Sequence, residues 1–349
     1  MQDILTCAMG LDIHRDVIVA CLAKGELGTD PEIEIRSFST LIPEMRKLRD
    51  WVLEAECRYV AMESTGIYWQ PIYEMLEPCF DGQISILVVN ARHMKNVPGR
   101  KTDMRDAQWI ATLLRAGLLK GSFIPDKTFR ELRHLTRYRK SIVRDITAQK
   151  NRIDKFLQSS GFRFTAFLSD AFGASGRNII RHLMEYGNIS REALDRCLKT
   201  QTRKRIDEIL IALNGSLSEH QRGFLRMIFG HLEALEQHRH TVEDAITKEI
   251  TKHEEALSLL CSIPGIDVTA AAAIIAEIGT DMSAFPDSQH ICSWAGLSPG
   301  NNESAGKRKS AHINKGNPYL KSMLCEVGWV ISGKRSLYLS GWYWSCLLY

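Results

Sequence analysis

The fold is decided by residues 6–38, TCAMGLDIHRDVIVACLAKGELGTDPEIEIRSF, which contain three segments with the composition of β-strands. Residues 6–12 form a short apolar run, residues 16–23 are rich in β-branched side chains, and residues 32–38 largely alternate between polar and apolar side chains. Glycine and proline punctuate the second connection, which is typical of a meander of antiparallel strands. These residues therefore predict three neighbouring strands of one sheet.

The residues that follow predict an alternation of helices and strands. Helices are expected over residues 42–56 and 68–77, and short apolar runs predict strands over residues 58–62 and 85–90. A further helix is predicted to begin near Lys101. This order is typical of a ribonuclease H-like α/β domain, in which the first and fourth strands lie side by side and the last helix packs across their ends.

Acidic side chains occur where this architecture would bring three elements together. Asp12 ends the first predicted strand, Glu63 ends the fourth, and Asp103 and Asp106 open the last helix on one shared face. Four carboxylates in one pocket repel one another unless cations lie between them. The sequence therefore predicts a Mg²⁺ site suited to phosphodiester chemistry. Each acid taken alone could equally lie in a turn, a cap or a solvated first turn of a helix.

Composition places the chain among ordinary globular proteins of two or three domains. Of its 349 residues, 44% are hydrophobic and 25% are charged, which argues against the disordered and membrane-embedded classes. No apolar run approaches the length of a membrane span, and the first residues lack the pattern of a signal peptide. Nine scattered cysteines show no zinc-like spacing. We expect a cytoplasmic protein with no membrane partner.

The basic residues are concentrated in one part of the chain. Residues 91–160 contain seventeen Lys or Arg and six Asp or Glu, although the net charge of the whole chain is only +4. Such an excess favours a polyanionic partner, because cations neutralise phosphates and release their counterions. Lys101 and Arg105, beside the predicted acidic site, are candidates for nucleic-acid contacts. The alternative interpretation is a solvated helix face.

Two long helices are predicted in the middle of the chain, and both carry seams with coiled-coil spacing. The seam of the first helix, which begins near residue 128, consists of Leu135, Arg139, Ile142, Ile146, Gln149, Ile153 and Phe156. The seam of the second, over residues 218–260, consists of Ile228, Leu232, Leu235, Arg239, Val242 and Ile246. The helices would pack as an antiparallel hairpin or against another subunit. Candidates for phosphate contacts beside the first seam include Arg133, Arg137, Lys140 and Arg144.

Residues 262–279, SIPGIDVTAAAAIIAEIG, combine a tight turn with a helix of small residues. This pattern predicts a helix-hairpin-helix, in which Gly265 allows close backbone approach and amides at the start of the next helix can bind a phosphate. The alternative is a helical hairpin with an alanine-rich packing face. Gly265 is accordingly a candidate nucleic-acid contact.

Residues 293–315, SWAGLSPGNNESAGKRKSAHINK, predict a polar loop that contains Ser304. Lys307, Arg308 and Lys309 follow this serine closely and could stabilise both an alkoxide and an attacked phosphate. A serine in a polar loop usually has no catalytic role, so the loop alone does not assign one.

Four stretches carry a resemblance to a known family. They are GLDIH (residues 10–14), MESTGIYW (62–69), VNARHMKNVPGRKTDMRDAQWIA (89–111) and WAGLSPGNNESAGKRKS (294–310). In this order they resemble the DEDD transposases of insertion-sequence family one-hundred-and-ten, also called bridge-RNA-guided recombinases. The resemblance covers nearly the whole chain.

The resemblance implies roles for individual residues. Asp12, Glu63, Asp103 and Asp106 take the four acidic positions of a RuvC-like domain, which Asn90 and Lys101 would support. Ser304 matches the catalytic serine of the family's ESG-type motif, with one extra alanine before the glycine; Ser298 and Ser310 are weaker candidates. The implied partners are DNA, a structured non-coding guide RNA and further copies of the chain, as dimers or tetramers, acting at the nucleoid.

We therefore expect an α/β domain followed by all-α regions. These are a RuvC-like DEDD domain (1–125), a helical coiled-coil region with an inserted helical subdomain (126–255), and a helical domain with the catalytic serine and helix-hairpin-helix (256–349). The expected function is DNA transposition by recombination. One alternative is a metal-dependent, structure-selective nuclease that resembles a junction resolvase and uses water as its nucleophile. The other is an inactive nucleic-acid-binding remnant, since family members commonly continue beyond the GWYW motif near the end of this sequence.

Overall fold

The computed structural model separates into two compact units, Met1–Ile124 and Pro125–Tyr349. The residues that it describes are 3–64, 66–79, 84–90, 106–298, 302–304, 307–310, 312–313, 315–334 and 336–347.

The first unit is built on a five-stranded mixed sheet. Its strands are β1 (Cys7–Ile13), β2 (Val17–Lys24), β3 (Glu32–Ser39), β4 (Tyr59–Glu63) and β5 (Ser85–Val89), in the spatial order β3-β2-β1-β4-β5. The first three strands are antiparallel, whereas β4 and β5 run parallel to β1. The prediction that the first and fourth strands lie side by side is confirmed.

One face of the sheet is covered by two helices, α1 (Ile42–Glu54) and α2 (Trp69–Leu76). Successive strand residues point to opposite faces, so every second side chain of a strand contributes to this layer. The layer is large and apolar, and its buried side chains include Met9, Leu11, Val60, Met62, Leu48, Trp51, Ile72 and Leu76.

The opposite face is covered by helix α3 (Asp106–Arg115), and the contact is unusually close because the strand residue beneath the helix is Gly10. A Cβ atom built on Gly10 would lie 2.2 Å from the carbonyl oxygen of Ala107 and 2.4 Å from the amide nitrogen of Ala111. Only a glycine permits the helix backbone to rest directly on β1 at this point.

Arg115 fixes the direction of α3 relative to β1. Its side chain is only 1% exposed, and it donates hydrogen bonds to the carbonyl oxygens of Leu5 (3.0 Å) and Glu26 (2.7 Å). The amides of Ile4 and Leu5 in turn donate to the Arg115 carbonyl. The C-terminus of α3 therefore lies beside the start of β1, so its N-terminus at Asp106 lies toward the end of β1.

The second unit is organised around two long helices, α4 (Lys127–Ser159) and α9 (Glu219–Ile250). They are antiparallel, because Phe156 stacks near Phe224 while Arg139, almost five turns earlier, pairs with Glu243. Of the two predicted packings, the structure has the antiparallel pair within one chain. Most seam residues are buried as predicted, including Ile142, Ile146, Ile153, Ile228, Leu232, Val242 and Ile246. A coiled-coil supercoil stays a prediction.

Four short helices connect α4 to α9 and share their core. They are α5 (Ala174–Tyr186), α6 (Arg191–Cys197), α7 (Thr200–Arg203) and α8 (Ile206–Ala212). Ser190 caps α6 through the amide of Ala193, and Gly187 ends α5 in the left-handed conformation. These caps explain why the segment folds as separate short helices.

The last part of the second unit is also mainly helical. Its elements are α10 (Glu254–Cys261), α11 (Val268–Ile278), α12 (Ser288–Ala295), β6 (Asn302–Ser304), β7 (Lys307–Ser310), α13 (Pro318–Gly333) and α14 (Tyr338–Leu347). Within the portion of the chain that the structure describes, no helix is long and apolar enough to cross a membrane.

We predict that Gly10→Ala lowers the free energy of unfolding by about 2 kcal/mol or more, because the new methyl group must push α3 away from β1. Equilibrium unfolding in urea, followed by circular dichroism, measures this change. Gly230→Ala is the matched control, since nothing lies within 4 Å of a Cβ built in its helix. The control is expected to gain about 0.5–1 kcal/mol. Equal effects of the two substitutions would contradict the close contact at Gly10.

Candidate active site

Asp12 and Glu63 lie at the ends of adjacent parallel strands. Asp12 is two residues beyond Gly10 and therefore points to the face of the sheet that carries α3. Leu11 is the register partner of Met62, so Asp12 and Glu63 are the next residues along the two strands. The Asp12 side chain is 15% exposed, which leaves its carboxylate accessible at the sheet edge. The first two predicted acids are thus neighbours on one edge.

Asp106 lies toward the same end of the sheet. It is the first residue of α3, directly before Ala107, whose carbonyl oxygen rests on Gly10. Asp103 lies outside the described residues, as do Lys101 and Arg105.

Among the residues described, no group of three Asp, Glu, His or Cys side chains is arranged to hold a metal ion. The donor chemistry nevertheless suits Mg²⁺, because Asp12 and Glu63 offer only carboxylate oxygens. The four-acid Mg²⁺ site stays a prediction.

His14 is a site neighbour that the sequence reasoning missed. Its Nε2 lies 3.3 Å from Oδ2 of Asp12, and its ring is 59% exposed. The residue follows β1 and has no partner in any spacing pattern. The only signal available in the sequence was its place two residues after a candidate ligand.

Ser304 lies in a short antiparallel pair of strands and not in the loop that the sequence predicts. Its register partner is Lys307, and Glu303 is opposite Arg308. Backbone pairing needs no apolar side chains, so the polar composition of this stretch concealed the strands. The backbone thus holds the serine and the basic run, which includes Lys309, in one hairpin. Their catalytic and binding roles stay predictions.

Two of the predicted nucleic-acid contacts, Arg133 and Arg137, are bound to a buried carboxylate. Glu277 is only 2% exposed, and Arg137 binds it through Nε and Nη2, both at 2.8 Å. Nε of Arg133 lies 3.1 Å from the same carboxylate. Burial lowers the pKa of Arg133 to about 10, against the opposing effect of Glu277. Both guanidinium groups therefore have partners within the protein.

Lys140 and Arg144 line a cavity of about 560 Å³ in the second unit. Helices α4, α9, α11 and α13 form its walls, which include the apolar side chains of Val143, Ile246 and Met323. Contact of these two cations with nucleic acid stays a prediction.

Gly265 has the positive φ of 92° expected for a tight turn, but its surroundings are protein. A Cβ built there would lie 3.0 Å from Cγ1 of Ile331 on α13. The following helix, α11, is capped by Asp267, which accepts a 2.7 Å hydrogen bond from the amide of Ala270. A phosphate at this helix start would meet the Asp267 carboxylate. The helix-hairpin-helix and its nucleic-acid contact stay predictions.

Two family models match the chain. The model of DEDD transposases of the IS110 type, described as a transposase, matches residues 9–161. The model described as the transposase IS116/IS110/IS902 family matches residues 257–341. The chain belongs to the IS110 family of transposases.

The two matched regions divide the candidate residues of this IS110-family chain between them. The first region includes all four predicted acids, and the second includes the hairpin of Ser304. Residues 162–256, which contain the short helices and all of α9, lie between the two matches.

Two curated relatives are similar to this IS110-family chain. The predicted transposase y4qE of Sinorhizobium fredii is 23% identical over 247 residues, which cover 68% of the chain and 51% of the relative. An uncharacterized 43.6 kDa protein of insertion element IS110 from Streptomyces coelicolor is 28% identical over 239 residues, which cover 63% of the chain and 58% of the relative. The chain thus spans little more than half the length of these relatives.

A pair of thiols lies at the opposite end of β1 and β4 from the carboxylates. A hydrogen bond with Cys57 lowers the pKa of Cys7 to about 7, and the positive charges of Lys24 and Arg115 act in the same direction, against burial. The same hydrogen bond, together with burial, raises the pKa of Cys57. Cys57, whose Sγ lies 3.3 Å from the carbonyl oxygen of Tyr59, therefore stays protonated while Cys7 ionises.

We predict that Cys7 reacts with iodoacetamide at half its maximal rate near pH 7, because the thiolate is the reactive form and rises with pH through the Cys7 pKa. Peptide mass spectrometry after timed alkylation measures the rate. Cys57→Ala removes the donor, so the profile should move toward that of N-acetylcysteine, used as the reference. A profile that is unchanged in the variant would contradict the thiol pair.

Proposed function

We propose that this IS110-family chain cuts and rejoins DNA phosphodiesters during transposition of an insertion element. The observation that carries the proposal is the placement of Asp12 and Glu63 on the ends of two adjacent parallel strands, with the N-terminus of α3 at the same end. Carboxylates grouped at one sheet edge are suited to metal-assisted attack on phosphodiesters. Membership in a transposase family supports DNA as the substrate.

Mg²⁺ is the cofactor proposed for the acidic pocket, held by Asp12, Glu63, Asp103 and Asp106. When bound, it would polarise the phosphate and stabilise charge on the leaving oxygen. The contact of α3 with Gly10 brings the start of this helix, with Asp106, toward the end of the sheet that carries Asp12 and Glu63.

Ser304 is the proposed nucleophile. Its Oγ forms a bond to phosphorus while the bond from phosphorus to one deoxyribose oxygen breaks. The hydroxyl proton passes to a base or to water, and the leaving deoxyribose oxygen takes up a proton. Rejoining reverses these steps with the hydroxyl of another strand, which releases the serine. Lys307, Arg308 and Lys309, in the same hairpin, are proposed to stabilise the phosphate charge.

A structured non-coding guide RNA and further copies of the chain are the proposed partners. The basic excess of residues 91–160 supports a nucleic-acid surface, to which we assign Lys101, Arg105, Lys140 and Arg144. Helix α9 carries the exposed apolar side chain of Met227, which is 67% exposed and supports assembly through this helix into dimers or tetramers.

We predict that the wild-type protein forms a denaturant-stable adduct with DNA from its element end, in the presence of Mg²⁺ and RNA transcribed beside the gene. Ser304→Ala should abolish the adduct, because this variant lacks the hydroxyl proposed to form the bond to phosphorus. Asp12→Asn should reduce adduct formation on the order of 100-fold or more, since it removes a charged ligand. Denaturing gel electrophoresis with labelled DNA measures both results, with Ser258→Ala, an exposed helical serine, as the control.

Two other outcomes would reject the serine mechanism. Free cleaved ends without an adduct, in both the wild type and Ser304→Ala, would establish a metal-dependent nuclease that uses water. Binding without cleavage at any Mg²⁺ concentration would establish a nucleic-acid-binding protein without catalytic activity.

A further inference from the structure

The segment that contains the Ser304 hairpin is closed at its base. The amide of Asn317, just before α13, donates a 2.8 Å hydrogen bond to the carbonyl oxygen of Trp294 in α12. A Cβ built on Gly316 would lie 2.2 Å from the amide nitrogen of Gly296 and 2.5 Å from the Trp294 carbonyl oxygen. The chain that leaves α12 and the chain that enters α13 are therefore in direct backbone contact, with the hairpin between them in sequence.

The side chain of Asn317 joins this base to helix α11. Its Oδ1 caps α13 by accepting hydrogen bonds from the amides of Tyr319 (3.0 Å) and Leu320 (3.1 Å). Its Nδ2 donates a 2.6 Å hydrogen bond to Oε2 of Glu277. Capping alone needs only an acceptor, which serine or aspartate would also supply. The bond from Nδ2 therefore has a separate effect, which is to fix the base of the segment relative to α11.

Glu277 in turn joins α11 to the long helix α4. Its carboxylate binds Arg137 and Arg133 of α4, and Arg133 also donates to the carbonyl oxygen of Ala276. Two guanidinium groups already satisfy the charge of this buried carboxylate. The additional hydrogen bond from Asn317 is not needed to compensate the Glu277 charge. We therefore assign it to fixing the position of the segment.

We propose that Glu277 and Asn317 are positioning residues for Ser304. They contact neither DNA nor the reacting atoms; they hold the two ends of the hairpin segment together and fix them to α4. A nucleophile on a segment with a fixed base samples fewer orientations. The fraction of molecules in which the serine is aligned for attack is therefore higher. This inference rests on the proposed role of Ser304 as nucleophile.

The first test is hydrogen exchange of the full-length protein, which does not depend on activity. Asn317→Ser keeps a capping hydroxyl and removes the donor to Glu277. We expect the amides of residues 302–310 to exchange at least tenfold faster in this variant, with α4 and α9 unchanged. Asn178→Ser, at an exposed asparagine of α5, is the control. Wild-type exchange in the hairpin would overturn the proposal, and so would faster exchange spread across α4 and α9.

The second test is the rate of adduct formation with bound element-end DNA. Asn317→Ser and Glu277→Gln should each slow it about tenfold or more without changing DNA affinity, whereas Glu233→Gln, in an exposed ion pair, should not. The double variant Glu277→Gln/Asn317→Asp exchanges the two groups. The carboxylate introduced at position 317 still caps α13 and accepts a hydrogen bond from the side-chain amide introduced at position 277. The double variant should therefore recover the rate of adduct formation that Glu277→Gln loses. Unchanged rates in the single variants, or no recovery, would overturn the proposal.

An adduct that is absent from the wild-type protein would reject the serine mechanism instead. In that case the exchange result alone decides whether Glu277 and Asn317 hold the hairpin segment in place.

Discussion

The close approach of a helix to a strand at Gly10 is the constraint on which the first unit depends. Small side chains extend from this point on both surfaces, with Ala8 and Ala61 in the strands and Ala107 and Ala111 in the helix. They allow α3 to pack at backbone distance, and the same helix carries Asp106. A larger residue beneath the helix would move this carboxylate away from the sheet edge. The packing of a core and the geometry of a candidate site therefore rest on one contact.

Periodic patterns were sufficient to predict most of the fold. Alternation in β3 and the apolar runs of the other strands located the sheet, and the order of elements predicted that β1 and β4 are neighbours. The repeats of three and four residues located the long helices and most of their buried side chains. These features are local, so a single sequence contains them. The β6–β7 pair escaped prediction because its pairing is made by backbone groups, which every sequence possesses.

The candidate site was predicted less completely, because charge patterns do not reveal distant partners. The sequence predicts that Arg133 and Arg137 are surface cations. In the structure, each binds Glu277, about 140 residues further along the chain. Glu277 itself sits in an alanine-rich helix with no pattern that indicates a buried ion pair. Asp12 and Glu63, by contrast, were placed correctly at the ends of neighbouring strands, because that follows from strand order alone. Counting charged residues along the sequence therefore overestimates the number of charged side chains that face solvent.

Arg115 has a consequence for the order in which the first unit is completed during synthesis. Its side chain holds carbonyl oxygens of Leu5 and Glu26, which are separated from it by 110 and 89 positions. The ribosome must therefore release nearly the whole unit before the start of β1 acquires these partners. Contacts between such distant positions form late because the intervening chain must first be ordered. The face of the sheet toward which Asp12 points thus stays without its covering helix until Arg115, near the end of the unit at Ile124, has emerged.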